Sequence, residues 1–444
     1  MKLISLQYVS YVVLILMSTM EVCKAEKPEP PDILLFMFFG IGVGIVIMQC
    51  LNKLGDPVPF TVVVFIAGIL LSLANKESTG NAVAIIFLNH YHHHYLITVV
   101  FDVGLLGSSI HMWVDIDADL LLYVFLPPLV YGEAMGLNWY HAKVALPQSL
   151  VLAGPGVVVG GVLMGCFAKG IFPDWSWYLA LTFGSISAAT DTVAVVSLLK
   201  SAGASPKLTM IIVGESLLND GAAMLLFDIF NKLLNGETYT AGSLIAEILA
   251  SSIGSILVGI VFGLLTVRWL RTANRPVSEI DVLVQSAITL VSAYLTFYFA
   301  QKVLQISGVL ACVTAGAMVA WRGTPVILSQ ETMHNVWGMA EWVLNTLIFM
   351  LAGLIIGNRV SHFVQPIDWF YLVVLYIMLM LIRFFVIFLS WPILSNTGHK
   401  CSWQDAVFMG WGGLRGVSCL CGIELCFNLL LFYFHYCYVH YCRL

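Results

Sequence analysis

Charge is what this sequence has least of. Only 10% of its 444 residues are charged, while 60% are hydrophobic and the mean hydropathy is +0.92; an ordinary soluble domain carries about 25% charged residues. A soluble globule of this length has no interior large enough for that apolar load. The chain instead supplies about a dozen membrane spans at ~20 apolar residues each. The net charge of -5 is spread over loops. Neither a basic stripe nor a base-stacking module accompanies it, which argues against nucleic acid as a partner. Catalytic machinery is missing as well: no nucleophile, general base and orienting residue occur together, and no Walker or kinase sequence is present. Gly154, Gly156 and Gly161 loosely echo a dinucleotide loop, yet no strand precedes them and their run is apolar throughout. The sequence points to no enzyme and to no cofactor.

The ten cysteines form no metal or disulfide code. Cys50, Cys166 and Cys312 lie in apolar runs and read as small hydrophobes, while five crowd between Cys419 and Cys442. The run His92, His93, His94, with His90 beside it, lacks a carboxylate or cysteine at ligand spacing and reads as a loop cluster.

What the chain has in abundance is long apolar runs. Lys2, an apolar stretch from Leu3 to Met20 and then Cys23, Lys24 and Ala25 predict a signal peptide or signal anchor over 1–26. After Pro28, Pro30 and Pro31, spans are predicted at about 33–51, 58–75, 119–136, 144–168, 176–199, 208–231, 242–267, 282–301, 306–321, 337–357, 368–394 and 404–433. The fold class is therefore an all-α multi-pass membrane protein of about twelve spans, with an exchanger domain over 33–433 and a short atypical tail over 434–444. Tyr95–Met112 is apolar but short, and it reads as a re-entrant or surface element. Numbering the spans puts Lys53, Lys143, Lys200, Lys207, Arg268, Arg271, Arg275, Arg322 and Lys400 on one side. Lys76, Lys169, Lys232, Lys302 and Arg359 fall on the other. The richer side is expected to be cytoplasmic.

A charge at mid-span costs about 3 kcal/mol on insertion scales, so each one calls for a partner or a function. The chain places Asp191, Glu215, Asp220, Asp228, Glu341, Arg383 and Arg415 in or near its apolar runs. In GESLLNDGAAM, read as a helix, Glu215 and Asn219 share one face while Ser216 and Asp220 share the next. A carboxylate with a buried approach and water on one side holds a proton near neutral pH and can exchange it for a cation. Sodium is a hard cation suited to carboxylate, amide, hydroxyl and backbone oxygens. Asp220, Asn219, Thr190 and the chain around Asp191 offer that set; the alternative is polar groups that only pair helices. Asp228, close to the predicted helix end, reads as a loop-facing acid. AATDTVAVV and GWGGLRGV interrupt their apolar runs at corresponding places late in the two halves, the pattern of broken helices that expose backbone to an ion. Asp191 then compensates helix N-terminal ends and Arg415 helix C-terminal ends. Against this stands a glycine-rich packing face at Gly410, Gly412, Gly413 and Gly416.

FLPPLVYGEA from Phe125, AATDTVAVVSLLKSAGAS from Ala188, GESLLNDG from Gly214, ISGVLACVTAG from Ile306 and GWGGLRG from Gly410 occur in order. In these motifs the chain resembles the sodium/proton exchangers of the monovalent cation/proton antiporter superfamily, in the branch with the plant salt-tolerance and animal sperm exchangers. The resemblance implies an inverted-repeat antiporter fold with two interrupted helices, working as a homodimer in a lipid bilayer, most naturally the plasma membrane, with an intracellular membrane as the alternative. It implies sodium and proton binding at Asp220 supported by Asp191, and a structural ion pair between Glu215 and Arg383. Asn219, where electrogenic relatives carry a second aspartate, implies electroneutral one-for-one exchange. Two positions depart from the pattern. Thr192 stands where the family commonly has proline, and the ending LCFNLLLFYFHYCYVHYCRL resembles neither the family's last helices nor its regulatory tail. The ending raises the alternative of a truncated, non-transporting regulatory or dimerising form.

Overall fold

The computed structural model describes residues 33–412, apart from 56–57, 78–81, 91–92, 102–103, 115, 117, 191–194, 197–198, 200–204, 275–278, 364–365 and 399. The signal-like segment 1–26, the tail 434–444, Asp191, Thr192 and Arg415 lie outside the described residues. The chain divides into two compact units. The first comprises the described residues up to Asp117 together with Val343–Pro366, and the second comprises Ala118–Trp342 and the described residues from Ile367.

In the first unit, helices α1 (Ile33–Leu54) and α2 (Phe60–Glu77) are followed by an antiparallel hairpin, β1 (Ala82–His90) and β2 (His93–Phe101), and by α3 (Gly104–Val114). The hairpin departs from the all-helical expectation, and it divides the predicted short element at Tyr95–Met112 between β2 and α3. AVAIIFLNH and HHYLITVVF are nine residues each. Such runs are too short to span as helices and rich in the branched and aromatic residues that strands favour. The register pairs His90 with His93, the last residue of β1 with the first of β2. The Phe36 amide donates to Ser109 Oγ at 3.2 Å, and the Phe36 and Trp113 rings lie 5.7 Å apart, joining α1 to α3.

The second unit holds α4 (Ala118–Met135), α5 (Trp139–Val151), α6 (Val157–Ile171), α7 (Trp177–Ala188), α8 (Pro206–Leu234), α9 (Ala241–Thr272), α10 (Glu279–Tyr298) and α11 (Gly308–Arg322). It also holds the first part of α12 (Gln330–Phe363), nearly all of α13 (Pro366–Asn396) and α14 (Trp403–Trp411). One π-helical turn, Leu152–Gly156, carries α5 into α6, and another, Phe299–Val303, follows α10. Pro155 explains the first, since its missing N–H forces the ladder to widen.

Seven described helical stretches are long and apolar enough to cross a membrane, and three shorter apolar helices, Phe60–Leu73, Leu120–Met135 and Gly308–Arg322, accompany them. These ten correspond to ten of the twelve predicted spans. The two remaining runs are those with the predicted interruptions. α7 stops at Ala188, where Ala189 turns extended at φ -60° and ψ 136°, and α14 stops at Trp411. The spans differ in surroundings. The apolar window of α8 is 61% buried, whereas that of α13 is 17% buried, so α8 runs through the protein while α13 leaves most of its surface uncovered by this chain.

Candidate functional site

The site is built on α8. Ser205 caps the helix by accepting from the Lys207 amide, and Pro206 occupies its first turn, where a missing N–H is harmless. Two turns in, Glu215, Ser216 and Asn219 are all buried, with Asn219 and Glu215 each only 1% exposed, and Asp220 is half-buried on the adjoining face. Gly214 lets α5 approach: a side chain there would meet Ser149 Oγ at 2.8 Å.

The end of α7 is stitched onto this stretch. Asn219 Nδ2 donates to Thr190 Oγ1 at 2.7 Å and to the Ala188 carbonyl at 3.4 Å, and Ser216 Oγ donates to the Thr190 carbonyl at 2.9 Å. The helix break strands carbonyls that no longer have intrahelical donors, and Asn219 and Ser216 supply them. The Ala188 carbonyl can only accept, which fixes the orientation of the Asn219 amide. Asn219 Oδ1 is thereby left buried and without a hydrogen-bond partner among the described residues. The Asn219 amide oxygen, the Thr190 hydroxyl and, at the next position of α8, the Asp220 carboxylate are hard oxygen donors carried by one stretch of the fold.

Glu215, one turn before Asn219 on α8, is held by a different helix. Arg383 of α13 grips its carboxylate with both guanidinium arms, Nη1 on Oε1 and Nη2 on Oε2 at 3.0 Å, and Nη2 also reaches the Met409 carbonyl of α14 at 3.5 Å. Two parallel charge-assisted bonds are the geometry in which a buried pair best offsets its own desolvation. The pair therefore joins α8, α13 and the end of α14, and leaves Asp220 as a carboxylate of a different kind on the same helix.

The structure thus brings together Asn219 and Thr190, pairs Glu215 with Arg383, and puts Asp220 in the same stretch of α8, while Asp191 and Arg415 lie outside the described residues. Among the described residues no group of three His, Cys, Asp or Glu side chains is placed to hold a metal ion. Three residues carry more than the sequence showed. Ser216 holds the broken helix. Gln148 donates to the carbonyls of Leu394 and Thr397, both at 2.9 Å, and fixes the α13–α14 connection. Asp228, read from sequence as loop-facing, lies within α8 and accepts from Gln301 Nε2 at 3.3 Å. Glutamines in apolar runs were the one available signal for Gln148. Outside the spans, burial, and secondarily the Asp405 carboxylate, pushes the Cys401 thiol up to about 11, so it stays protonated and unreactive at neutral pH.

Comparison with known proteins matches residues 12–430 to the family described as sodium/hydrogen exchanger, transmembrane. Sodium/hydrogen exchanger 8 of Arabidopsis thaliana is 33% identical over 411 residues, covering 89% of this chain and 50% of its own length. Sodium/hydrogen exchanger 7 of the same plant is 33% identical over 407 residues, covering 89% of this chain and 32% of its own length. The Na(+)/H(+) antiporter ApNhaP of Aphanothece halophytica is 31% identical over 331 residues, 72% of this chain and 60% of that protein. The chain thus spans about half the length, or less, of the two plant relatives. The fold is similar to that of the sodium proton antiporter MjNhaP1 from Methanocaldococcus jannaschii, with a TM-score of 0.63 at 13% identity, covering 88% of this chain and 87% of that one. With a family match over nearly its whole length, this chain is a multi-pass membrane protein and belongs to the transmembrane sodium/hydrogen exchanger family.

Proposed function

We propose that the chain is a secondary active antiporter that exchanges sodium for protons across a membrane, one for one, with Asp220 as the carboxylate both cations share. The observation that carries this reading is the Asn219–Asp220 step on α8. Asn219 spends its amide N–H groups on the broken end of α7, its oxygen has no hydrogen-bond partner among the described residues, and a half-buried carboxylate follows it on the helix. Sodium takes oxygen ligands of this kind, and Asp220, the Asn219 oxygen, Thr190 and, beyond them, Asp191 form the set assigned to it. Arg415 is assigned to the charge of the second broken helix, and the Glu215–Arg383 pair to holding the scaffold around the site. The relatives named above are exchangers and antiporters by name, which favours transport over enzymatic chemistry, and the ions are cargo, so no cofactor enters the cycle. A homodimer in the plasma membrane is the assembly proposed, with the lysine- and arginine-rich loops on the cytoplasmic side.

Because Asp220 carries a single positive charge in each half-cycle, a proton one way and a sodium ion the other, no net charge crosses. A protonated Asp220 does not bind sodium, so the apparent sodium affinity weakens on acidification. The test is sodium-driven proton flux in proteoliposomes with an internal pH dye. The wild-type chain is expected to give flux whose rate ignores an imposed potential, which would otherwise contribute about 2.3 kcal/mol per charge per 100 mV; Asp220→Asn is expected to abolish it. Near wild-type flux in Asp220→Asn removes the assignment, and a rate that follows the voltage removes the one-for-one stoichiometry.

A further inference from the structure

Eight residues beyond Asp220, α8 borders a partly open cavity of about 260 Å³ lined by Leu122, Tyr123, Met224, Phe227, Asp228, Gln301, Lys302 and Gln305. Asp220, Met224 and Asp228 follow one another at i, i+4 and i+8, so the cavity opens along the row of α8 that carries Asp220, about 12 Å further along the axis. Its volume is room for about eight waters.

The polar wall of this cavity is assembled from backbone irregularities. Gln301 belongs to the π-helical turn Phe299–Val303, and Gln305 adopts a left-handed backbone at φ 55°, a strained conformation for a residue with a side chain. The π turn aims the Gln301 side chain in two directions at once. Its Nε2 donates to Asp228 Oδ2 at 3.3 Å, and its Oε1 accepts from the Gly308 amide at the start of α11 at 2.9 Å. The Asp228 carboxylate is thus held by an amide that is itself locked to a helix end. Lys302 and Gln305, both exposed, stand at the rim. One held acid on the wall and one exposed base beside the opening of a water-sized chamber make a graded field for a small cation.

We propose that this cavity is a hydrated vestibule that gathers monovalent cations for the transport site, with Asp228 as the attracting group and Lys302 as its opposing charge. The proposal rests on the reading of Asp220 as the cation site. Its two residues act on the concentration and hydration of the ion on its way in, so Asp228 is a positioning residue and not a ligand of the transported ion at Asp220.

The test uses the whole chain in nanodiscs, with Met224→Cys placed on the cavity wall and Leu122→Cys as a second position in case the first does not fold. Each is labelled with methanethiosulfonates bearing either a trimethylammonium or a sulfonate group. Reaction is measured as the increment over the parent chain, whose Cys50 and Cys166 are exposed. After correction for intrinsic reactivity, the cationic reagent is expected to react at least about threefold faster, the size of effect one nearby charge exerts in a partly hydrated site. Asp228→Asn should erase that preference, Lys302→Gln should enlarge it, and high ionic strength should flatten it. In proteoliposomes, Asp228→Asn should raise the apparent sodium KM by about threefold and Lys302→Gln should lower it, opposite signs that a merely structural role would not give. Failure of both wall cysteines to react in folded protein, or a cationic preference that survives Asp228→Asn, overturns the vestibule. Labelling as expected in a chain that shows no sodium-driven flux would keep the vestibule's field and remove the exchanger reading, so the two failures are told apart.

Discussion

Glu215 and Asp220 lie five residues apart on α8 and meet different surroundings. Glu215 is 1% exposed and clasped by Arg383, whereas Asp220 is half-buried and follows Asn219, whose amide oxygen has no hydrogen-bond partner among the described residues. A carboxylate locked to a guanidinium has no freedom to trade cations, so its work is mechanical. Glu215→Gln or Arg383→Met alone is expected to destabilise the protein by about 3 to 5 kcal/mol, because each leaves an unpaired charge in a place water does not reach. The double variant should recover part of that loss. A thermal unfolding series in which the two single effects simply add would show that the pair does not couple them. At this scale the sequence was legible wherever a polar side chain stood out against an apolar run, as Asn219, Thr190 and Arg383 do. It was illegible where the partner is remote: Gln148 bonds a carbonyl 246 positions away, and Gln301 bonds Asp228 at a separation of 73. Nothing in the spacing of either glutamine announces its partner.

Helix ends and helix crossings decide the next scale. α7 must stop at Ala188 for Thr190 to face Asn219, and it is held there by its packing on α6. That crossing is made of backbone. A side chain at Gly184 would run into the Gly161 carbonyl and sit 2.7 Å from the Gly165 amide nitrogen. Gly184→Val therefore forces the two helices apart and is expected to destabilise by about 1 to 3 kcal/mol or more, the range for overpacked sites. Gly170→Ala, where nothing lies within 4 Å of the added methyl, serves as the control and should be neutral or slightly stabilising. Fluorescence-detected size exclusion after heating compares the two, and equal survival would refute the close-packed crossing. The spans themselves were readable because long apolar runs have few alternatives in a chain this poor in charge. The hairpin was not: a nine-residue apolar run looks alike as a buried helix segment or a strand, and only pairing decides. The stop at Ala188 was legible as an interruption around Asp191, though not to the residue, since no proline marks it.

On the scale of the whole molecule, the division of labour follows burial. α13 leaves most of its surface uncovered by this chain and is tied inward through Arg383, while α8, the most buried of the seven long spans, carries Glu215, Asn219, Asp220 and Asp228 along one rod. The order of the motifs, the apolar runs and the two interruptions let the architecture be read from sequence, whereas the division into two units needed the coordinates. One feature of the rod bears on the stability of everything around it. A buried amide oxygen that makes no hydrogen bond is a standing penalty on the folded state of about 1 to 3 kcal/mol. An ion that takes it as a ligand relieves that penalty and binds the folded chain alone. With sodium as the proposed ion, mass action makes it a stabiliser, worth about 2.7 kcal/mol at one hundred times its dissociation constant. Melting temperature in detergent should climb with the logarithm of sodium concentration, stay flat in choline, and lose its slope in Asn219→Ala; a sodium-independent melt of the wild-type chain would mean that the oxygen is not a ligand. A protein of this design is least robust when empty, so the ion gradient it is proposed to consume would also set how long each copy survives in the membrane.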